Sequence, residues 1–178
     1  MTEIKYPLPA AATAFVILLS VLVSACGFQL RGGVELPPML RVTLLQSGNP
    51  WTGIAAALRI ELESAGSRIT TDAGEATAIL TLVSERSLQR VLSVGRSGRA
   101  SEYELFEEVT FALRDSEGRE LLKPQTLSQT RDMVFDENQL LGKVSETDKL
   151  REQMRRSLAR QIITRIRTGL QAHEPVAP

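Results

Sequence analysis

The chain has 178 residues, 43% of them hydrophobic, and its 21 basic and 21 acidic side chains leave no formal net charge. That balance excludes a global field drawing the protein to nucleic acid or to an anionic membrane surface, so electrostatic recognition has to come from local clusters. One cysteine excludes an internal disulfide, and one histidine, His173 near the C-terminus, argues against a Ser-His-Asp triad, a Cys-His pair or a histidine-bearing zinc site.

Residues 1–25 read as a lipoprotein signal peptide. The apolar run from Ala10 to Ala25 is short of the roughly 20 residues a spanning helix needs. It closes on Ser24-Ala25-Cys26, with Leu22 or Val23 at the branched aliphatic position of a lipobox. Small side chains ahead of the cut let the backbone into a signal peptidase, and the Cys26 thiol is the nucleophile that accepts diacylglycerol. A plain secretory signal with Cys26 left as a free thiol is the other reading of the same run. Cleavage before Cys26 leaves residues 26–178, enough for one domain with a real core and too few for two. With Cys26 acylated, that domain depends on apolar burial for its stability.

Residues 26–40 carry Gly32-Gly33 and Pro37-Pro38 and read as a lipidated N-terminus and tether, a composition unsuited to a helix or an interior strand. Arg41–Gln46 is β-branched and apolar, a short strand closed by Ser47-Gly48-Asn49-Pro50. Asn49-Pro50 is a helix-start signal, and Trp51, Ile54, Leu58, Leu62 and Ala65 follow at helical spacing, with Gly66 as a left-handed stop. A polar connector runs through Ala76. Ile79–Val94 is then a strand ending in the hairpin-turn residues Gly95-Arg96-Ser97-Gly98.

The return strand alternates most clearly. Tyr103, Leu105, Val109, Phe111 and Leu113 share one face, interrupted by Glu107, while Glu102, Glu104, Glu108, Thr110 and Arg114 alternate with them. One face is packed and one is wet. Asp115-Ser116-Glu117-Gly118 turns the chain into a third strand, Arg119–Phe135, where Pro124 argues for an edge position or a bulge. Ser145-Glu146-Thr147-Asp148 resembles a capping box, after which Leu150, Met154, Leu158, Ile162 and Ile166 stack four apart on a last helix. Arginines crowd the later turns and acids the first, as the helix dipole favours, and Gly169 loosens the end. The expectation is an α+β fold over residues 41–170, a two-layer sandwich in which a mainly antiparallel sheet of about four strands is packed by two helices, with 171–178 a disordered tail.

No phosphate-cradling loop and no cofactor motif appears, and no catalytic residue stands out; the protein reads as a non-enzyme. Carboxylates between Glu102 and Glu108 fit cross-strand pairing with Arg86 and Arg90 better than acid/base work. If the turn centres between Arg96 and Ser97, Arg86 falls opposite Glu107. Arg96 and Arg99 at the tip, and Lys143 in the loop before the last helix, admit two readings: a solvated tip, or an anion site served by paired guanidinium donors.

Cys26-Gly27-Phe28-Gln29-Leu30-Arg31-Gly32 resembles the start of mature members of the LptE family, lipoproteins of lipopolysaccharide assembly in Gram-negative bacteria. Arg96-Ser97-Gly98-Arg99-Ala100-Ser101-Glu102-Tyr103 is similar to that family's basic turn leading into an Ala-x-Glu-Tyr strand, and the element order agrees. The match around Lys143 is loose. The resemblance implies an outer-membrane lipoprotein, lipid-anchored through N-acyl and S-diacylglycerol groups on Cys26. It implies a partner, the β-barrel LptD, whose lumen the domain occupies, plugging it and assisting its assembly, and a role in delivering lipopolysaccharide to the outer leaflet. Gly27 after the cysteine, in place of an acidic residue, agrees with release to the outer membrane under the enteric sorting rule. Arg96, Arg99 and Lys143 become candidates for contact with the phosphorylated head of lipid A, which would loosen packing between lipopolysaccharide molecules. The rival is an accessory interaction lipoprotein of another envelope transport or barrel-assembly complex.

Overall fold

Pro37 and Pro38 do not leave the tether irregular to its end. The Leu40 N–H donates to the Pro37 carbonyl at 2.9 Å, closing a 3-10 turn over Pro38–Leu40. The fixed φ of proline suits a first helical position, and Leu40, fully buried with Leu36 and Met39 packed beside it, draws the turn into the core. The computed structural model describes residues 36–96, 98–134 and 140–171, with side chains of the last stretch from Ser145 onward. The signal peptide, Cys26, most of the tether, the Lys143 side chain and the tail beyond Gln171 lie outside the described residues.

The elements in chain order are β1 (Val42–Gln46), α1 (Gly53–Ser64), β2 (Arg68–Thr70), β3 (Ala78–Val94), β4 (Ala100–Asp115), β5 (Glu120–Val134) and α2 (Leu140–Gln171). The sheet order is β2-β1-β3-β4-β5, with β1 parallel to both its neighbours and β3-β4-β5 an antiparallel meander. The architecture is the expected α+β, with five strands in place of four. The added strand, β2, is three residues inside the polar connector, too short to show a period. It is held beside β1 by Arg68 N–H to the Arg41 carbonyl (2.9 Å) and by a buried chain from Ser67 Oγ to Thr43 Oγ1 (3.0 Å) and on to the Leu40 carbonyl (3.0 Å).

Helix α1 starts later than Asn49-Pro50 suggests. Asn49 Oδ1 instead accepts the Trp51 N–H at 3.0 Å, a local turn that satisfies the amide outside the helix. The cap comes from another element: Glu85 Oε2 on β3 accepts the Ile54 N–H at 2.8 Å. Trp51 is therefore outside the packed face and 70% exposed, with the Arg59 guanidinium 4.5 Å from its ring centroid. Ile54, Ala55, Ala57, Leu58 and Leu62 are buried as the periodicity requires. At the other end Gly66, at φ +94°, completes the left-handed stop, with Gly66 N–H on Glu63 O and Ser67 N–H on Leu62 O.

Helix α2 begins before the expected box, so Ser145–Asp148 lie inside it and cap nothing. The backbone of Lys143 is helical, not part of a loop. The core-facing side is Met154, Leu158, Ala159, Ile162, Ile163 and Ile166. Gly169 does not end the helix; a β-carbon there would stand 3.0 Å from Leu122 Cδ1, so the glycine permits close approach to β5. Leu80, Leu82, Val109, Phe111 and Leu113 of the sheet meet both helices in one core within the unit Val34–Pro178.

Beyond that core the meander continues. β1 covers β3 only from Ala78 to Thr81. From Val83 on, β3 is exposed or half-exposed and its register against β4 shifts three times, at Leu82/Ser84, Val91/Ser93 and Ser93/Val94. Pro124 stands on the edge strand and inside a register irregularity, between the pairs Leu113–Leu122 and Phe111–Gln125.

Candidate functional site

The far end of the β3–β4 hairpin gathers the basic residues that the sequence singles out. Gly95 N–H donates to the Arg99 carbonyl at 2.7 Å and Gly98 N–H to the Gly95 carbonyl at 3.0 Å, and Gly98 takes φ +76°, so the tip closes as a glycine-dependent turn. Arg96 and Arg99 are both exposed there. Just below, Ser93 Oγ lies 2.8 Å from Ser101 Oγ and donates to Glu102 Oε2 at 3.0 Å, fixing the last rung of the ribbon. Val91, Leu92, Val94 and Val134 are exposed at the same end, Val94 by 65%. Guanidinium groups next to uncovered aliphatic side chains make a surface for an amphipathic anion: the charges suit phosphate and the aliphatics suit chains attached to it.

Helix α2 points its N-terminal end the same way. Arg151 Nη2 reaches Gln89 Oε1 at 3.3 Å, and one turn earlier Thr147 Oγ1 is 3.4 Å from Met133 Sδ, which pairs with Tyr103 nearer the tip. Continuing by another turn, the backbone of Lys143 advances toward the hairpin tip. The fold therefore brings the three candidate residues toward one end of the molecule, although 47 sequence positions separate Arg96 from Lys143.

Between tip and core lies a cluster that the sequence does not reveal. Glu107 is 1% exposed, and its partner is not Arg86. The hairpin closes on the pair Val94–Ala100, half a residue later than a turn centred between Arg96 and Ser97, so Arg86 pairs with Glu108 and Ser87 with Glu107. Glu107 accepts Ser87 Oγ at 2.7 Å, Arg151 Nη1 at 3.1 Å, and Arg155 through Nε and Nη2 at 3.3 Å. The interruption of the apolar stripe at Glu107 was the only signal available; that α2 answers it with two arginines one turn apart is a tertiary fact. Arg90 does pair with Glu104 across the strands as expected.

Several other charged groups are closed on one another. Around the groove between α1 and α2, Glu61 pairs with Arg160 and Glu152 with Arg156, and Arg59 bridges to Glu63. At the β4–β5 turn, partial desolvation alone would raise the Asp115 carboxyl. Hydrogen bonds from the Arg119 side chain and backbone, the guanidinium charge and the Glu117 N–H outweigh it and hold Asp115 below the usual carboxylate range. Asp115 and the charge of Glu117 in turn raise Arg119. Among the described residues no three His, Cys, Asp or Glu side chains form a metal-holding group, and no helix is long and apolar enough to cross a membrane.

Residues 41–166 match a family described as LptE, lipopolysaccharide-assembly. The chain is 30% identical over 157 residues to the LPS-assembly lipoprotein LptE of Pectobacterium atrosepticum, covering 86% of this chain and 83% of that protein. The LPS-assembly lipoprotein LptE of Yersinia enterocolitica is also 30% identical, over 155 residues, with 83% and 72% covered. Among solved structures, an uncharacterized lipoprotein B from Nitrosomonas europaea superposes with a TM-score of 0.66 at 28% identity, covering 83% of this chain and 97% of the other. The rare lipoprotein B from Shewanella oneidensis does so with a TM-score of 0.58 at 26% identity, covering 75% and 96%.

Proposed function

Because the chain belongs to the LptE family of lipopolysaccharide-assembly proteins, we propose that it is an outer-membrane lipoprotein, anchored through Cys26, that seats in the lumen of the β-barrel LptD. There it plugs the barrel, assists its assembly and helps pass lipopolysaccharide to the outer leaflet, without enzymatic chemistry. The observation that carries the reading is the hairpin tip, where Arg96 and Arg99 are exposed together with Val91, Leu92 and Val94. Lipopolysaccharide presents phosphates on an acylated head, and this surface offers both kinds of contact. The helix-free face of the meander supports the lumenal seat: Arg86, Arg90, Glu104, Glu108, Thr126, Ser128 and Thr130, surrounding the single apolar pair Leu88–Phe106, make it a largely polar surface suited to water and polar walls. Three acyl chains on Cys26, at about 0.8 kcal/mol per buried CH₂, would make the attachment effectively permanent.

The test is affinity purification of the tagged full-length protein from its own outer membrane in mild detergent, with mass spectrometry of what stays bound. The expected result is a barrel protein in roughly equimolar amount. Recovery of inner-membrane transporter subunits instead would favour the accessory-lipoprotein reading. For lipopolysaccharide contact, R96D/R99D in the detergent-solubilised full chain is expected to lose lipopolysaccharide binding while the barrel still co-purifies. Unchanged binding removes the tip from the mechanism.

A further inference from the structure

An open sheet edge invites another strand, and folded proteins blunt such edges with bulges, prolines, charges or brevity. Three of the edges here are treated in that way. β2 is three residues long. The outer stretch of β3 beyond Thr81 is interrupted by its register shifts and carries Glu85, Arg86 and Arg90. The inner part of β5 contains Lys123 and Pro124 within an irregularity.

The outer part of β5 is different. From Gln125 to Val134 it pairs with β4 residue for residue, Phe111–Gln125 through Glu102–Val134, with no shift. Gln125-Thr126-Leu127-Ser128-Gln129-Thr130 is a run without charge, proline or glycine, and among the described residues no strand lies on its other side. Alternate N–H and C=O groups of such a strand point away from β4, ready to pair.

We propose that this edge, centred on the uncharged run Gln125–Thr130 and continuing past Arg131 and Asp132 to Val134, receives an extended segment of the barrel partner as a sixth, antiparallel strand. The inference rests on the lumenal seat argued above and adds where the two proteins pair. Antiparallel addition continues the meander, which is the pairing the neighbouring strands already use. The side chains specify the guest. On the helix-free face Thr126 already exchanges a hydroxyl hydrogen bond with Thr110 at 2.9 Å, and Ser128 and Thr130 continue that row, so small hydroxyl or amide residues fit opposite them. On the helix side Leu127 packs against the core at the edge, and an apolar residue opposite it would extend that core under α2. The absence of charge from Gln125 to Thr130 selects a neutral segment over a basic or acidic one. The edge ends at Val134, paired with Glu102 beside the tip, so the added strand would run up to the surface holding Arg96 and Arg99.

The test is photo-cross-linking in the native outer membrane, with a benzophenone amino acid placed singly at the exposed positions Thr126, Ser128 and Thr130 of the full-length chain, and mapping of the joined peptides. The expected result is attachment to one short run of the barrel protein, the attachment point stepping backward along the barrel sequence as the probe moves forward along β5. Proline at whichever of Ser128 and Gln129 presents its N–H outward is expected to abolish the cross-link from Thr130 while leaving the thermal transition in place, whereas proline at the other removes a ladder bond to β4 and lowers it. If the barrel co-purifies but the cross-links scatter or are absent, strand pairing is overturned and the lumenal seat stands. If the cross-links step through a second copy of this chain, the edge is a self-association surface and the barrel assignment of the guest is wrong. If no barrel is recovered with the unmodified protein, the lumenal seat fails, and this proposal with it.

Discussion

Replacing Glu107 with alanine would leave Arg151 and Arg155 facing a nearly dry sheet without their shared carboxylate. Breaking a buried pair from one side costs about 3–5 kcal/mol, much of it from the charge left behind, and here two guanidinium groups lose a partner. E107A is expected to lower the unfolding free energy by about 3 kcal/mol, read by urea titration. The triple variant E107L/R151M/R155M, which removes the whole charge cluster, is expected to recover most of that loss. A smaller effect, with a pH signature, belongs to Asp115. Its pKa is depressed in the folded state, so the stabilisation it contributes is fully present above its ordinary value of 3.8 and is lost as pH falls through the lower, folded value. Melting temperature against pH for D115N should lie below the parent near neutrality and converge with it on the acid side.

Helix α1 depends on a residue outside itself. The Glu85 carboxylate that caps it also sits 2.7 Å from where a β-carbon on Gly53 would be, and Gly53 takes φ +64°. E85A removes one cap and is expected to cost about 1 kcal/mol. G53A adds a left-handed alanine and expels the cap, so it should cost more than E85A, and thermal melts of the two variants check the order. At the other helix, G169V is expected to destabilise by about 1–3 kcal/mol, because Leu122 is already at contact distance and overpacking displaces it.

These two glycines show where the sequence was readable and where it was not. The spans of β1, β3, β4, β5 and the core faces of both helices follow from period and turn chemistry, which are local. The late start of α1 and the purpose of Gly53 and Gly169 depend on Glu85 and Leu122, which touch them only after folding. The register of the β3–β4 hairpin depends on where the turn centres: the innermost pair is Val94–Ala100, and the extra residue at Leu92 on β3 is offset by one at Ser101 on β4, so Arg86 meets Glu108. Of the candidate site, Arg96 and Arg99 were legible because a turn is a local object, whereas the arginine partners of Glu107 and the unshifted outer stretch of the β5 edge were visible only in three dimensions.

Over the whole molecule, stability and placement are divided between the two ends. The packed end holds Leu40, Phe111 and the helix stripes, while the ribbon end holds the tip and the unguarded edge. Truncating Leu40 in L40A should cost about 2–5 kcal/mol without altering what the tip binds, whereas R96D/R99D should alter binding and leave the thermal transition in place. Measuring both properties on both variants tests the division. The order of the elements along the chain has a further consequence for biogenesis. The Met154–Ile166 stripe of α2 comes after every strand, so a chain emerging N-terminus first exposes the apolar face of Leu105, Val109, Phe111 and Leu113 before that cover is available. Until α2 has joined it, that face is open to chaperones and prone to aggregation, so the emergence of α2 sets the moment at which the fold becomes safe to release.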